Sequence, residues 1–314
     1  MNLLITRCLP EKAVAAAKTR FEVTYRDDPT PLAPQDLRAA LRDYDAILPT
    51  LGDLFRADVF NDVPAPRARI LANFGVGYNH IDVAAARAAG LQVTNTPGAV
   101  TDATADIAMT LILMSARRAS EGERLLRAGN WTGWHPTQML GTHVTGKTVG
   151  IVGFGRIGQA VARRCHFGFG MTVIFHNRST LTPGFPATQV ALSDALQADF
   201  VVLAVPASPA THHLINAETL ARMRPAAHLI NIARGDVVDE AALITALQSG
   251  QIAGAGLDVY EREPHVPAAL MTLENTTLLP HLGTAALEVR EVMGMMAVAN
   301  LIAFQDGAPL PNPV

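Results

Sequence analysis

The sequence predicts an α/β protein made of two doubly wound parallel-sheet domains, and three observations carry the prediction. Short apolar runs alternate with Ala/Arg-rich helical patterns through the first hundred residues. A second alternation of the same kind opens at "GKTVGIVGFGRIGQAVARRC", residues 146–165. No internal repeat, low-complexity stretch or long run of one charge sign interrupts either series. Strands alternating with helices pair in parallel, because each helical crossover returns the chain to the same end of the sheet.

Composition supports two cores. A chain of 314 residues is long enough for two domains of ordinary size. With 49% apolar and 17% charged residues it is a compact folded chain and not a disordered one. A net charge of -3 gives no reason to expect nucleic acid or an anionic membrane surface as a partner. Cys8 and Cys165 lie far apart, in no metal-like spacing, so neither a disulfide framework nor a metal site is expected and a reducing compartment fits. "MNLLITRCLP" lacks a basic leader and a small-residue cleavage site. The apolar stretch "IAMTLILMSA" (107–116) is about half of the roughly 20 residues a bilayer span needs. A cytoplasmic protein without membrane association is the expectation.

In chain order, 2–6, 21–25, 45–50, 68–73 and 91–96 read as strands, with helices at 11–19, 34–42 and 82–89 between them. A long helix follows "TPGAV", with Thr101 or Asp102 as a candidate cap. The second series has strand-like runs at 147–152, 171–175, 199–205, 227–232, 253–258 and 276–279. From 285 the chain is helical again, and it frays at "APLPNPV".

Gly153-Phe154-Gly155-Arg156-Ile157-Gly158 is a G-x-G-x-x-G pattern, weak alone. Here "KTVGIV" supplies a strand before it and "RIGQAVARRC" a helix after it, the context of a Rossmann-type dinucleotide site. The first glycine permits the tight turn, the second lets the backbone approach a pyrophosphate, and the third allows close helix–strand packing. The helix N-terminus offers unpaired N–H groups to the anion. The alternative is a glycine-rich turn that binds nothing.

An acid is expected about 20 residues later, on the ribose 2′-hydroxyl. That position reads Asn177-Arg178-Ser179. An arginine cannot accept a hydrogen bond from a hydroxyl, but its fork matches a 2′-phosphate, and Asn177 and Ser179 can add neutral hydrogen bonds. NADP(H) is therefore preferred and NAD(H) possible. Alternatively Arg178 is a solvated loop residue and either cofactor is tolerated.

Three segments directly follow apolar runs and so emerge where open α/β sheets place their chemistry. "LINIARGDVVDE" carries Arg234, "AGLDVYEREP" carries Glu263 and "TTLLPHLGTAA" carries His281. Taken singly, His281 could be a buried histidine bonded to backbone and Arg234 a helix-end charge.

Six segments together resemble the D-isomer-specific 2-hydroxyacid dehydrogenases, in the glyoxylate/hydroxypyruvate reductase branch. They are "NFGVGYNHID" (73–82), "NTPGAVTDATADIAM" (95–109), "GKTVGIVGFGRIG" (146–158), "NIARGDVVDEAAL" (231–243), "GLDVYEREP" (256–264) and "LLPHLGTAA" (278–286), in the family's order. The resemblance implies a flavodoxin-like substrate domain, 1–98 plus 287–314, with the dinucleotide-binding domain inserted at 99–286. It implies an active site in the interdomain cleft and reduction of a small 2-oxo acid. Arg234 would hold the substrate carboxylate, His281 would donate the proton, and Glu263 would orient His281. Glu261 is the competing acid, but the D-V-Y-x-x-E-P spacing favours Glu263. The amides of Val76 and Gly77, with Leu51 and Gly52 of "PTLGD", would line the substrate pocket. Thr104, Arg156, Ile157, Pro206, Thr211, Ile232, Ala233, Asp258 and Gly283 would contact the cofactor. Trp134 would reach a partner subunit's pocket in a homodimer formed through 99–145, and His80 would be structural. "AVPASPATHHLIN" (204–216) and Ala285-Ala286 depart from the family's usual wording without touching the catalytic three. A phosphoglycerate dehydrogenase, a broader 2-ketoacid reductase and a dinucleotide-sensing corepressor are the rival readings.

Overall fold

The computed structural model describes residues 1–314. The chain divides into two compact units, Met1–Val100 with Ala285–Val314, and Thr101–Thr284.

The first unit is built on a five-stranded parallel sheet. Its strands are β1 (Asn2–Ile5), β2 (Glu22–Tyr25), β3 (Ala46–Leu48), β4 (Ile70–Ala72) and β5 (Gln92–Thr94), in the order β2-β1-β3-β4-β5. The central strands are covered on both faces, which is why their sequences read as continuous apolar runs. Leu3, Ile5, Ala46, Leu48, Ile70 and Ala72 pack on the helices Glu11–Lys18 and Leu287–Gln305. Leu4, Ile47, Leu71 and Val93 face the opposite helices through Leu37, Leu41, Phe60 and Ala86. The last helix returns to this unit because Gly294 lets it close on the first: a Cβ there would lie 2.4 Å from that of Ala13.

The second unit holds seven parallel strands: β6 (Thr148–Val152), β7 (Thr172–His176), β8 (Thr188–Gln189), β9 (Phe200–Leu203), β10 (His228–Asn231), β11 (Gly254–Leu257) and β12 (Thr276–Leu278). Their order is β12-β11-β10-β9-β6-β7-β8, so the winding reverses between β6 and β9. Loops at the carboxyl ends flanking such a reversal form the ligand crevice of open α/β sheets. One sheet face packs Val149, Ile151, Phe175, Val202 and Ile230 against the helices Thr101–Ala116 and Arg156–Arg163. The other packs Val201, Leu203, Leu229 and Leu257 against Leu243 and Leu247 of the helix Glu240–Gln248. Each fully buried side chain of this kind contributes roughly 1.5–3 kcal/mol.

Three local expectations are corrected. The long helix after residue 100 is two helices, Thr101–Ala116 and Ala119–Arg127, with Arg118 between them at φ 53°. The cause is tertiary: the Gly141–Thr142 segment crosses the end of the first helix, and Thr142 N–H donates to the Ala116 carbonyl at 2.7 Å. Thr101 and Asp102 lie inside the first turn of that helix. The helix Ala57–Asn61 and the strand β8 were not anticipated, because five and two residues are too short to show a period. No helix is long and apolar enough to cross a membrane.

Candidate active site

The glycine loop follows β6 directly. Gly153 sits at φ 96°, and a Cβ on it would lie 2.7 Å from the carbonyl of Ala204 in the loop after β9. A Cβ on Gly155 would meet nothing within 4 Å, which leaves an open approach to the backbone. On Gly158 it would stand 2.1 Å from the Gly153 carbonyl oxygen, so only glycine lets the helix start against the turn. Gly155 caps the helix with no side-chain bond, leaving the first N–H groups, at Arg156 and Ile157, to meet an anion. These features fit a dinucleotide pyrophosphate.

Asn177-Arg178-Ser179 closes β7. Asn177 Oδ1 accepts from Phe154 N–H at 3.2 Å, and its Nδ2 donates to Ser179 Oγ at 2.9 Å and to the Ser179 carbonyl at 3.1 Å. Gln189 Nε2 holds the carbonyls of Asn177 and Ser179, each at 3.0 Å. Asn177 therefore joins the strand end to the glycine loop, while the Arg178 side chain, one residue on, is exposed. A carboxylate at position 177 could also accept from Phe154; what the amide adds is a donor for Ser179 and the loss of a negative charge.

Arg234, Glu263 and His281 follow β10, β11 and β12, three neighbouring strands, at their carboxyl ends. His281 Nδ1 donates to Glu263 Oε2 at 2.7 Å, which leaves Nε2 as the nitrogen available to a substrate. Glu263 Oε1 accepts from Tyr260 N–H at 3.1 Å. Burial disfavours the Glu263 carboxylate, but the His281 hydrogen bond and charge, the Tyr260 N–H and the Arg234 charge together hold its carboxyl below the usual range. Burial also makes the Arg234 guanidinium less basic, against the opposing charges of Glu263 and Asp236. Arg234 Nη1 donates to the Ala233 carbonyl at 2.7 Å, fixing one arm of the fork.

His281 has φ 54°, a left-handed conformation that costs a residue with a Cβ about 1–2 kcal/mol. Asp258 holds it there. Its two carboxylate oxygens accept from Leu282 N–H at 2.6 Å and Gly283 N–H at 2.8 Å, gripping the turn immediately after His281. Burial, opposed by those bonds and by the His281 charge, leaves the Asp258 carboxyl above its usual range. Thr104 Oγ1 completes the turn by donating to the Gly283 carbonyl at 3.2 Å.

The remaining expected cofactor contacts lie in the same set of loops. Thr211 Oγ1 donates to the Pro206 carbonyl at 2.7 Å and so closes the loop after β9. Ile232 and Ala233 are buried beneath Arg234. Sequence reasoning overlooked two residues that shape this end of the sheet. Asn231 accepts from Ala233 N–H at 3.0 Å and donates to the Arg234 carbonyl at 2.9 Å. Tyr260 Oη donates to the Leu279 carbonyl at 3.0 Å, tying the β11 loop to the β12 end. A polar residue inside an apolar strand, as in "LINIA", is the signal that could have found Asn231.

The first unit carries the other expected residues. In the loop after β4, Asn73 Nδ2 donates to the carbonyls of Gly75 and Gly77, each at 3.0 Å, and Asn95 Nδ2 to that of Val76 at 2.9 Å. These bonds engage the loop's carbonyls and fix its backbone. His80 is buried, with Nε2 3.0 Å from Asn73 Oδ1. Arg7 Nη1 donates to the Leu51 carbonyl at 2.6 Å, and Gly52 turns the loop at φ 107°. Trp134 is 80% exposed and the preceding helix, Ala119–Arg127, buries none of its residues.

Known proteins resemble this chain in sequence and in fold. Residues 109–283 match the family described as D-isomer specific 2-hydroxyacid dehydrogenase, NAD binding domain. A glyoxylate reductase of Thermococcus kodakarensis is 46% identical over 319 residues, covering 99% of this chain and 95% of the relative. Among solved structures, a protein of Thermus thermophilus superposes with a TM-score of 0.91 at 40% identity, covering 100% of both chains. An NADPH-dependent glyoxylate/hydroxypyruvate reductase of Sinorhizobium meliloti, solved with NADP and malonate, has a TM-score of 0.88 at 36% identity, covering 100% of this chain and 96% of the other.

Proposed function

The chain belongs to the D-isomer-specific 2-hydroxyacid dehydrogenase family, and on that premise we propose that it reduces glyoxylate or hydroxypyruvate to the 2-hydroxy acid, a D-2-hydroxy acid where the product is chiral, with NADPH preferred over NADH. The observation that carries the reading is the Glu263–His281 pair: a 2.7 Å bond fixes the imidazole through Nδ1 and leaves Nε2 to give a proton to the substrate's carbonyl oxygen. The nicotinamide, when bound, supplies the hydride. Arg234, held by its own backbone neighbour, offers guanidinium hydrogens to the substrate carboxylate. Glu263 keeps its negative charge beside His281 and holds the orientation of the ring from which the proton leaves.

The cofactor assignment is supported by the 177–179 turn. It has no acid to repel a 2′-phosphate, and it carries an exposed arginine whose fork suits one. The NADP-bound relative from Sinorhizobium meliloti lends weight to it. Glycine-loop N–H groups hold the pyrophosphate in this reading. Thr104, Pro206, Thr211, Ile232, Ala233, Asp258 and Gly283 line the remainder of the cofactor path. The working form is a homodimer in which the exposed Trp134 meets the second copy.

Initial rates with a panel of 2-oxo acids, against NADPH and NADH, test this. Glyoxylate and hydroxypyruvate are expected to lead the panel with NADPH, and Arg178→Asp is expected to move the NADPH/NADH ratio toward NADH. Absence of cofactor oxidation with every 2-oxo acid would overturn the reaction, and an unaltered ratio in the variant would overturn the 2′-phosphate contact.

A further inference from the structure

We propose that His213 and Glu261 form a second histidine–carboxylate pair whose work is to position the catalytic one; the inference rests on the function proposed above. His213 Nε2 is hydrogen-bonded to Glu261 Oε1. The two residues join different loops. His213 ends the segment 206–213 after β9, which carries Pro206 and Thr211, and Glu261 stands in the loop after β11, two residues before Glu263.

The backbone at His213 is built to present this ring. Four non-glycine residues have positive φ, and two of them are the histidines of the two His–Glu pairs, His213 at 47° and His281 at 54°. His213 is held there by its N–H to the Asp236 carbonyl at 2.8 Å and by Asn216 Nδ2 to its own carbonyl at 3.1 Å. Its ring stacks on His212 with centroids 4.0 Å apart.

From Glu261 the path to the catalytic pair is short. Glu261 N–H donates to Glu240 Oε1 at 2.9 Å, and the next peptide back carries Tyr260 N–H, which donates to Glu263 Oε1 at 3.1 Å. Gly235, next to Arg234, fits flat against this turn: a Cβ on it would fall 1.8 Å from the Tyr260 carbonyl carbon. A shift of Glu261 therefore moves Glu263. The pair itself stabilises little, since its side chains are 37% and 22% exposed and solvent-exposed polar pairs contribute little. That is no more than the cost of the left-handed backbone that presents the histidine. Around the pair stand Glu240, Asp236, Arg262, His265 and His212. Its consequence is geometric: the loop bearing the cofactor contacts and the loop bearing Glu263 become one unit.

His213→Ala and Glu261→Ala are each expected to lower kcat by about 10- to 100-fold, the range for small misplacement of a catalytic group, with the KM for the 2-oxo acid nearly unchanged. The double variant is expected to lose no more than either single one, and His213→Gln, which keeps a donor toward Glu261, to recover much of the rate. In the cofactor-free protein, the ¹H–¹⁵N imidazole resonances of His281 are expected to shift in Glu261→Gln and His213→Gln. Those milder variants carry the test should the alanine forms not fold. An unchanged rate accompanied only by a lower Tm, multiplicative losses in the double variant, or unmoved His281 resonances would each overturn the proposal. A wild-type protein inert toward 2-oxo acids would instead overturn the proposed reaction, and the imidazole resonances would still report on the linkage.

Discussion

Acid should weaken the nucleotide-binding unit through one buried histidine remote from the catalytic residues. His228 opens β10, is 5% exposed, stacks on Phe200 and has Nδ1 2.8 Å from Ser115 Oγ, with no carboxylate among its hydrogen-bond partners. Burial depresses it from 6.5 to about 4. Between those values the unfolded chain takes up a proton that the folded one refuses, so stability is present above pH 6.5 and is lost as pH falls toward 4. At 1.36 kcal/mol per pH unit the full loss is about 3 kcal/mol, of which about 2 kcal/mol has gone by pH 5. Native-state hydrogen exchange of the β9 and β10 amides at pH 7 and pH 5 reads the opening free energy of this unit. His228→Gln cannot titrate but keeps an amide for Ser115. Its opening free energy should fall between the two pH values by about 2 kcal/mol less than that of the wild type, all other groups being common to both. Equal pH dependence in the two proteins would refute the buried, neutral His228.

His281→Ala should lower kcat by roughly 10²–10⁴, the range for losing a general acid, and should leave dinucleotide affinity near wild type by calorimetry. Arg234→Lys should lose at least one charge-assisted bond to the carboxylate, worth about 1.5–3 kcal/mol, or roughly 10- to 150-fold in kcat/KM for the 2-oxo acid. A loss confined to cofactor binding would contradict the role given to Arg234. Gly158→Ala forces a Cβ to within 2.1 Å of the Gly153 carbonyl. It should cost about 1–3 kcal/mol of stability and abolish measurable dinucleotide binding; near-normal binding would mean the loop does not hold the pyrophosphate.

Much of the molecule was legible because its signals are local. The buried strands betray themselves as apolar runs, and the glycine loop by its spacing between a strand and a helix. Arg234, Glu263 and His281 stood out by their places just beyond three such strands. The break at Arg117–Arg118 was invisible, since it depends on a segment some 25 residues onward laying Thr142 N–H on the Ala116 carbonyl. Asn177 offered only its chemistry, with no sign that its amide would bond Phe154 and Ser179. Asp258 was expected as a cofactor contact, and its grip on the backbone after His281 had no counterpart in local pattern.

By itself, then, the sequence determined the two α/β units, the glycine loop between a strand and a helix, the absence of an acid at 177–179 and the places of Arg234, Glu263 and His281 just beyond three strands. Each of these depends on side-chain type and on neighbours within a few positions, which a linear reading contains. Tertiary structure decided which imidazole nitrogen bonds Glu263, how Asp258 and Thr104 hold the turn after His281, and that His213 and Glu261 form a second histidine–carboxylate pair. Those outcomes rest on hydrogen bonds between residues 18 to 179 positions apart. Such bonds form only once packing has brought the ends of separate strands together, and no local period encodes their geometry.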